Sequence, residues 1–533
     1  MQTVTSSNHY ILAVDLGTSG PKIALVSIKG DIIASVVEST ELILKPGGGA
    51  EQDPENWWTA IKKGVHRLIG MEYVRKEQII AICCTTQWSG TVAIDRHGKH
   101  MMNAIIWMDS RGAPYIRQIT GGWPGFKGYS LWKAINWIYL TGGIPTQSGK
   151  DSIAHILYIK HQFPDIYEQT SKFLEPKDYI NYRLTGRFAA SFDSITLHWL
   201  TDNRNIHNIT YSNRLFEWSG LDKEKFPELK QSTDILGGIL PDIADELGLS
   251  HHTQVVMGSP DIQAAAVGSG AVDDYKPHLY IGTSSWLTCH VPFKKTDIFH
   301  NMASLPSSIP GKYFIAAEQE TAGACINFLK DQILFPDDAL NVQTKVPDDF
   351  YEKLTQTAQS VDPFDQHVIF TPWLYGERTP FDDHQLRAGF YNVSLHTRRS
   401  HLIRSVLEGV AFNARSLLEG VESFTGKKME NIHMIGGGAK SDLWCQIHAN
   451  ILNRTIKQVK NPVQANARGA GFLGAIAVKE LSWNDIASCI QIQNTYIPEL
   501  TYRNHYDQLF NEFINIYKNN RKMYQRLNPS ELH

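Results

Sequence analysis

A carboxylate, glycines and two hydroxyl side chains follow directly on an apolar segment near the N-terminus. The stretch reads "AVDLGTSGPK", and its polar turn contains Asp15, Gly17, Thr18 and Ser19. Backbone N–H groups and hydroxyls in such a turn can donate hydrogen bonds to phosphate oxygens, and a carboxylate beside them can hold hydrated Mg²⁺. Taken alone, the turn is equally consistent with an ordinary hairpin.

The same pattern returns in the second half of the chain. There "LYIGTSSWLTC" places Gly282 and Thr283 after another apolar segment. A repeated strand–turn–strand unit indicates a duplicated domain. The second copy therefore favours a phosphate-binding role for the turns over two unrelated hairpins.

Two further stretches place small and polar residues at predicted helix starts. "GSPDIQAAAVGSG" puts Asp261 before a helix of small residues, where it is either a helix cap or a general base that accepts a hydroxyl proton. "IGGGAKSDLWCQIHAN" puts three glycines between a strand and a helix. Flat glycine backbone suits a planar ring or a ribose lying across it, although strand–glycine–helix turns are common.

Aromatic and polar side chains are concentrated in two loops of the first half, "TTQWSGTVAID" and "AIIWMDSRG". These loops contain Gln87, Trp88, Trp107, Asp109 and Arg111. Proteins hold polyhydroxylated molecules by packing aromatic rings on C–H faces and by hydrogen bonding the hydroxyls. The loops are thus a candidate sugar site, and the alternative is a core tryptophan beside a surface ion pair.

Short apolar runs alternate with helical patterns, which indicates an α/β fold rather than a helical bundle. The first three predicted strands are Ile11–Val14, Ile23–Ser27 and Ile32–Val37. Residues 54–69 predict a helix with Asp53 as its N-cap and Pro54 at its first position. A Gly- and Pro-rich stretch predicts a domain boundary near residue 255, and residues 502–527 predict a helix that packs back on the body.

The composition excludes several classes of protein. The 533 residues carry a net charge of −3, which gives no electrostatic reason to expect nucleic acid or a membrane surface as partner. No apolar run is long enough for a membrane span, and the first ten residues lack the pattern of a signal peptide. The six cysteines form no C-x-x-C motif and predict free thiols in a reducing, cytoplasmic setting. Neither a P-loop nor a strand followed by G-x-G-x-x-G is present.

Nine motifs in order identify a resemblance to the FGGY carbohydrate kinases, which belong to the actin-like, ribonuclease H-fold ATPases. The motifs extend from Tyr10 to about Leu481 and read "DLGTSGPK", "EQDPENWW", "WMDSRG", "KDYINYRLTG", "GSPDIQAAAVG", "YIGTSSW", "YGERTPFDDHQLRAGF", "RSVLEGVAFNARSLLE" and "IGGGAKSDLWCQI". The resemblance implies an α/β fold of two ribonuclease H-like domains with a cleft between them. It implies a sugar-binding domain over residues 8–255, an ATP-binding domain over 256–490 and a helical tail over 491–533.

The resemblance also implies a role for each motif position. Asp261 matches the catalytic base and a sugar contact, and Asp15 matches the residue that helps to place Mg²⁺. The predicted nucleotide contacts are Gly17, Thr18, Ser19, Gly282, Thr283, Gly323, Asn327, Gly437, Gly438, Ala439 and Asp442. Gln87, Trp88 and Asp109 are predicted to contact the sugar. The chain departs from the usual family pattern at Trp88 and at His155.

The resemblance implies a kinase that uses ATP and Mg²⁺ and binds a small sugar, with no nucleic acid or membrane as partner. Among acceptors, a ketopentose such as D-xylulose is favoured, and other pentuloses, polyols and aldonates remain open. Assembly as a homodimer also remains open. A sugar and nucleotide sensor would have lost Asp15 or Asp261, and both are present. An ATPase of the chaperone or actin type would have no use for the Trp88 and Asp109 loops.

Overall fold

The computed structural model describes residues 8–298, 300–339, 345–365, 367–381 and 383–529. Most of the N-terminal stretch predicted to lack a signal peptide and the last four residues of the predicted tail therefore lie outside the described residues. Two large mixed sheets, one from each half of the chain, organise the described part.

The first sheet has six strands. In spatial order they are Ile235–Gly238, Gln254–Pro260, Ile79–Thr86, Tyr10–Gly17, Gly20–Ser27 and Ile32–Val37. Tyr10–Gly17 pairs antiparallel with Gly20–Ser27 on one side and parallel with Ile79–Thr86 on the other. The three strands predicted at the N-terminus are confirmed, each with bounds slightly wider than or equal to those expected.

The second sheet has eight strands and repeats this arrangement. In spatial order they are Thr296–Asp297, Met302–Pro306, Tyr313–Gln319, Ser285–Val291, Pro277–Ile281, Asn431–Ile435, Thr455–Val459 and Ile492–Tyr496. Pro277–Ile281 again pairs antiparallel with the next strand in the chain and parallel with a later strand, Asn431–Ile435. The predicted duplication is therefore visible as the same hairpin-plus-parallel-strand unit in both sheets.

Helices and short strands complete the described structure. The helices are Pro54–Ile69, Ala113–Thr120, Leu131–Thr141, Ser152–Gln162, Pro164–Gln169, Pro176–Thr185, Asn213–Ser219, Pro241–Leu247, Asp261–Gly268, Gly323–Phe328, Phe350–Gln359, Arg399–Thr425, Asp442–Leu452, Ala465–Ala477, Ile486–Cys489 and Arg503–Leu527, with a π-helical turn at Leu329–Leu334. The short strands are Ile43–Lys45, Gly49–Gln52, Val92–Ile94, Ala104–Ile105, Gly125–Phe126, Tyr129–Ser130, Lys172–Leu174, Ala189–Ser191, Thr201–Asp202, Thr210–Tyr211, Glu228–Lys230, Ile369–Thr371 and Gly389–Tyr391. Asp53 caps Pro54–Ile69 as predicted, since its side chain accepts a hydrogen bond from Glu55 N.

Two helices of small residues cross where the two halves of the chain meet. Asp261–Gly268 and Ala465–Ala477 approach so closely that a Cβ on Gly268 would lie 1.9 Å from Ala465 O. A Cβ on Gly469 would likewise lie 1.8 Å from Ala264 O. The alanine and glycine run after Asp261 is therefore a packing requirement, and it holds Asp261 at the junction of the halves.

The sheets separate later in the chain than the sequence predicts. Gln254–Pro260 is hydrogen-bonded within the first sheet, whereas the first strand of the second sheet begins at Pro277. We therefore propose a boundary between residues 268 and 277 in place of residue 255. Sequence reasoning missed strand Gln254–Pro260 because the Gly- and Pro-rich stretch before it has the composition of a linker.

The remaining sequence expectations on cysteines and the tail are confirmed. All six cysteines are free, and five of them are buried. Helix Arg503–Leu527 packs on the second half of the chain through buried residues that include Tyr506, Phe510 and Phe513. In the described part of the chain, every helix is too short or too polar to span a bilayer.

Candidate active site

The first Gly-Thr-Ser turn connects two paired strands of the first sheet. Gly17 faces Gly20 in the register of the hairpin, so Thr18 and Ser19 form its tip. Gly20 has a φ of +130°, and a Cβ there would lie 2.2 Å from Glu38 O. The turn is therefore fixed in shape, with the Ser19 side chain exposed to solvent.

A network of buried amides holds Thr18 in place. The Thr18 hydroxyl donates to Gln87 Oε1 at 3.1 Å and accepts from Trp107 Nε1 at 3.0 Å. Gln52 Nε2 donates to the Thr18 carbonyl at 2.8 Å, while Gln52 Oε1 accepts from Gln87 Nε2 at 2.7 Å and from Trp57 Nε1 at 3.2 Å. Sequence reasoning missed Gln52, although it lies in the "EQDPENWW" motif, because nothing local distinguishes it from a surface amide.

We expect Gln52→Leu to destabilise the protein by about 2–4 kcal/mol, because Gln87, Trp57 and the Thr18 carbonyl lose buried partners. The KM for ATP should rise several-fold, since the tip of the turn is no longer held. Thermal unfolding and ATP-dependent kinetics measure the two effects. Gln493→Leu, at an exposed amide, is the control. An unchanged melting temperature for Gln52→Leu would contradict the network.

Asp15 lies at the base of the same turn and is almost fully buried, with 7% of its surface exposed. Its Oδ2 lies 3.4 Å from Lys22 Nζ. Lys22 also donates to the Val463 carbonyl at 2.9 Å, and Val463 belongs to the second half of the chain. The carboxylate predicted to place Mg²⁺ is thus next to a lysine that connects the two halves.

Asp261 is the first residue of helix Asp261–Gly268, and its side chain is partly exposed. Burial raises its pKa to about 7, and the negative charges of Asp15 and Glu318 add to that rise. Its Oδ1 accepts from Ile262 N at 2.7 Å, so it caps the helix in part. In the described part of the chain, no side-chain hydrogen bond reaches its second oxygen, and the cap and base interpretations are therefore compatible.

The second Gly-Thr-Ser turn is locked to the start of a helix. Gly323 N donates to Gly282 O at 2.8 Å, and Ala322 N and Ala324 N donate to Thr283 O at 2.9 and 3.0 Å. A Cβ on Gly323 would lie 2.4 Å from Gly282 O. The absence of a side chain at Gly323 thus lets the helix start lie directly against the turn.

A cavity of about 1390 Å³ opens beside this second turn, and its lining residues all come from the second half of the chain. The predicted nucleotide contacts among them are Gly282, Thr283, Gly323, Asn327, Gly437, Gly438 and Asp442. A Cβ on Gly438 would lie 2.4 Å from Ile281 Cγ2, so the glycine loop also packs tightly on the turn. The volume and the backbone-lined floor fit a nucleotide.

Two of the predicted adenosine contacts differ in their surroundings. Ala439 is completely buried, and its carbonyl accepts from Gln458 Nε2 at 2.7 Å, so it lies behind the cavity wall. Asp442 is exposed and lines the cavity, and its Oδ1 accepts from Tyr496 OH at 2.7 Å. We therefore propose that Asp442 contacts the nucleotide and that Ala439 shapes the loop.

The nucleotide cavity and the first turn lie within electrostatic reach of each other. Tyr280 lines the cavity and stacks on Trp286 with ring centroids 3.8 Å apart. Burial raises the pKa of Tyr280 to about 12, and the charges of Asp261 and Asp15 contribute to that shift. The strand before the second turn thus lies within Coulombic range of Asp261 and of Asp15 at the base of the first turn.

The predicted sugar loops lie against the helix of Asp261 and against the first turn, but their polar groups are largely occupied. Trp88 Nε1 donates to Ser194 O at 2.9 Å, and its ring packs beside Ile262, the neighbour of Asp261. Gln87 is buried in the network around Thr18. We therefore propose that Trp88 contacts the sugar and that Gln87 positions the turn.

Asp109 is 1% exposed and supports other groups. Its Oδ2 accepts from Ala50 N and Arg111 Nε, both at 2.9 Å, and its Oδ1 accepts from Arg111 N at 2.9 Å. Arg111 also reaches Glu51 Oε1 at 2.7 Å. Direct contact between Asp109 and a sugar would have to displace these bonds, so we propose that it positions Arg111.

His155 is fully buried, and burial lowers its pKa to about 4.

The second half presents an ion cluster that sequence reasoning did not assign. Arg378 Nε binds Glu320 Oε1 at 2.6 Å, and its Nη1 also pairs with Glu318. Glu377 is buried beneath them and accepts from Arg378 N at 2.8 Å and from Asn413 Nδ2 at 2.6 Å. The negative charge of Glu318 contributes to the raised pKa of Asp261, so the cluster lies within Coulombic range of that carboxylate. Its sequence signal is the "GERTP" segment within the motif "YGERTPFDDHQLRAGF".

The carboxylates fit Mg²⁺ that arrives with a nucleotide. In the described residues, no group of three or more His, Cys, Asp or Glu side chains is arranged to hold a metal ion by itself. Mg²⁺ usually keeps several waters and binds through one or two carboxylates together with substrate phosphates. Asp15, with Asp261 within Coulombic reach, provides oxygen ligands of that kind.

Comparisons with known proteins agree with this geometry. Models of the FGGY family of carbohydrate kinases match residues 10–268 (N-terminal domain) and 279–478 (C-terminal domain). The chain is 28% identical to a xylulose kinase from Staphylococcus epidermidis over 527 residues, covering 96% of this chain and 97% of the relative. Crystal structures of a gluconate kinase and a ligand-bound xylulose kinase from Lactobacillus acidophilus superpose with TM-scores of 0.85, each at 24% identity. They cover 98% and 97% of this chain and all of both structures, and they confirm the two-domain fold.

Proposed function

We propose, because the chain belongs to the FGGY family of carbohydrate kinases, that its acceptor is a ketopentose such as D-xylulose, phosphorylated to D-xylulose 5-phosphate. The membership itself makes the protein a phosphotransferase that uses ATP with Mg²⁺ and an alcohol group as acceptor. The observation that carries the proposal is the partly exposed Asp261 beside the Gly-Thr-Ser turns of both halves. The xylulose kinase relative supports the choice of sugar.

Asp261 acts on the acceptor hydroxyl in this mechanism. Its free carboxylate oxygen accepts the hydroxyl proton while the helix N–H on its other oxygen fixes the orientation of the group. Trp88 offers an apolar surface for the C–H face of the sugar next to the same helix. Deprotonation and orientation together prepare one hydroxyl for attack.

The turns hold the phosphate groups of the donor. The donors that this proposal assigns to the phosphates are the backbone N–H groups of Thr18 and Ser19 and the Ser19 hydroxyl from one half, with the Thr283 N–H and hydroxyl from the other; the Thr18 hydroxyl and the Gly282 N–H are already bonded to Gln87 and Ser284. Asp15, together with the donor phosphates, would hold Mg²⁺, which would supply positive charge to the phosphate groups. Closing the two halves on the acceptor excludes water, which would otherwise compete for the phosphoryl group.

A second acceptor class is favoured by one side chain. Lys150 lies between the predicted sugar loops and helix Ser152–Gln162, and its carbonyl accepts from Ser89 Oγ at 2.6 Å. Its side chain is partly buried, and among the described residues no partner lies within ion-pair or hydrogen-bond distance of its ammonium. Burial lowers its pKa, as does Arg378 in the second half, despite the opposing charges of Glu318 and Glu320. An unpaired cation beside a predicted sugar loop suits the carboxylate of an aldonate.

A panel of acceptors in an ADP-release assay separates these possibilities. We expect D-xylulose or a related pentulose to stimulate ADP release most, and Lys150→Met to leave the KM for that sugar within about twofold. If an aldonate is the acceptor, Lys150→Met should raise its KM by roughly tenfold or more, the loss of one ion pair. Lys428→Met, at an exposed lysine, is the control. ADP release that responds to no sugar in the panel would contradict the proposal.

A further inference from the structure

Six large apolar side chains are exposed together on the first half of the chain, on the surface of a hairpin and the helix that follows it. We call this surface the aromatic face; its members are Trp123, Phe126, Leu131, Trp132, Ile135 and Tyr139. Trp123 is 95% exposed, Trp132 66% and Ile135 63%. Single exposed apolar residues are ordinary, but six within seventeen residues are not.

The aromatic face is continuous in space. Strands Gly125–Phe126 and Tyr129–Ser130 form a hairpin, and Leu131 N donates to the Pro124 carbonyl at 2.9 Å, which holds the hairpin against the start of helix Leu131–Thr141. Along that helix, exposed side chains recur at three- and four-residue spacing and form one stripe. The opposite side of the helix is in the core, where Trp137 is buried and donates to Trp199 O at 2.8 Å. The helix therefore has two apolar sides and only one of them is covered.

The area of the aromatic face is that of a protein interface. From the exposed fractions and the surface of such side chains, it offers roughly 800 Å² of apolar surface. The largest patch on a typical monomer is about 300–600 Å², whereas each partner in a stable complex contributes about 800 Å². Tryptophan, tyrosine and phenylalanine are also the residues enriched at interface cores.

We propose that the aromatic face is covered by the aromatic face of a second copy of this chain. In a two-fold interface the same patch meets itself, so it must be complementary to itself. A straight apolar stripe on a helix meets that condition, because two such helices can pack side by side across the axis.

Charge argues against an anionic partner at this surface. Residues 110–150 contain no Asp or Glu and five cations, but few of these cations are free to act. Lys133, in the helix itself, turns its Nζ to the Ile119 carbonyl at 2.7 Å. Arg111 is bound to Asp109, and Lys127 lies in the turn of the hairpin beside Phe126. Two cations from elsewhere in the chain lie over the Tyr139 ring: Arg204, which is paired with Asp202, and Lys294, which donates to the Ile138 carbonyl at 3.1 Å. Most cations on or beside the aromatic face are thus already bonded within the chain, whereas a membrane or acidic partner gains only about 1 kcal/mol for each nearby cation.

The test compares the mass in solution of the full chain with that of one variant and its control. We expect sedimentation equilibrium at roughly 100 µM, well above a micromolar Kd, to give twice the chain mass of 60.1 kDa. Trp132→Glu combined with Ile135→Glu should give the monomer with unchanged circular dichroism. Leu395→Glu, at a fully exposed apolar residue outside the aromatic face, should remain dimeric.

Three results would overturn the inference. They are a monomeric wild-type chain, a double variant that stays dimeric, and binding of the wild-type chain to phosphatidylcholine–phosphatidylserine vesicles that the double variant lacks. Trp132→Ala serves as a milder variant if the double variant does not fold, and it should weaken the dimer at least tenfold. None of these outcomes depends on the acceptor, so this inference and the proposed function fail separately.

Discussion

Asp261→Asn should reduce sugar-dependent ADP release by about 10²- to 10⁴-fold, while ATP still binds. The amide retains the shape of the side chain and can still accept from Ile262 N, but it cannot take up the hydroxyl proton. Coupled ADP release measures the first effect, and titration with a fluorescent nucleotide measures the second. Asp242→Asn, at an exposed carboxylate near the start of another helix, should keep full activity. Full turnover by Asp261→Asn would show that Asp261 is not the base.

The pH profile tests the same assignment independently. A base must be ionised, and burial together with the charges of Asp15 and Glu318 raises the pKa of Asp261 to about 7. The kcat/KM for the acceptor should therefore fall about tenfold for each pH unit below that value. Asp15→Asn removes one repelling charge and should move this acid limb to lower pH.

The raised pKa also has a consequence for stability. A carboxyl whose folded pKa lies above its unfolded value stabilises the protein fully only below the unfolded pKa, and this contribution is lost as the pH rises through about 7. Asp261→Asn removes that charge. The variant should therefore gain about 1–2 kcal/mol at pH 8, after allowance for the partial exposure of the side chain, and gain nothing at pH 4. The melting temperatures of Asp261→Asn and of the wild-type chain at pH 8 and pH 4 test this prediction.

Gly258→Ala should destabilise the protein by more than about 3 kcal/mol and remove most of the activity. Gly258 has a φ of +71° within strand Gln254–Pro260, and a Cβ there would lie 2.0 Å from Cys84 O in the neighbouring strand. The clash is with backbone, so the strand itself must move away from Ile79–Thr86. Because Asp261 follows three residues later, its carboxylate moves as well.

Gly186→Ala is the matched control for that variant. Gly186 has the same φ of +71° but no atom within 4 Å of the added Cβ. It should lose only the conformational cost of about 1–2 kcal/mol and keep its activity. Chemical denaturation and acceptor kinetics of the two variants separate the cost of a positive φ, which both share, from the clash with Cys84 O, which only Gly258→Ala has. Equal losses in both would show that the contact with Cys84 has no effect.

Several features of the site could be predicted because they depend on a few neighbouring residues. The hairpin that ends in Thr18 and Ser19, its copy at Gly282 and Thr283, and the position of Asp261 at a helix start were all visible in short motifs. Glycine at a tight turn and proline before a helix act through local backbone geometry, and that geometry is written in the sequence.

Other features were decided by residues far apart in the chain. Gln52 meets Thr18 and Gln87 only after three elements pack together, and Arg378 meets Glu318 and Glu320 only through the second sheet. The same holds for Asp109, whose carboxylate was predicted to face a sugar and is enclosed by Ala50 and Arg111. In each case a motif supplied the residue but not its partner.

The sequence by itself determined that the chain contains two copies of a Gly-Thr-Ser turn after a strand, a carboxylate at a helix start and a glycine loop between a strand and a helix, to which we assign phosphates, a base and a nucleotide as proposals. Only the tertiary structure decided which polar groups remain free for ligands, where the two halves divide and that one side of helix Leu131–Thr141 is left uncovered. The physical reason is the separation along the chain of the residues that interact. Backbone conformation and donor groups are set by adjacent residues, whereas burial and hydrogen-bond partners are set by packing between distant segments.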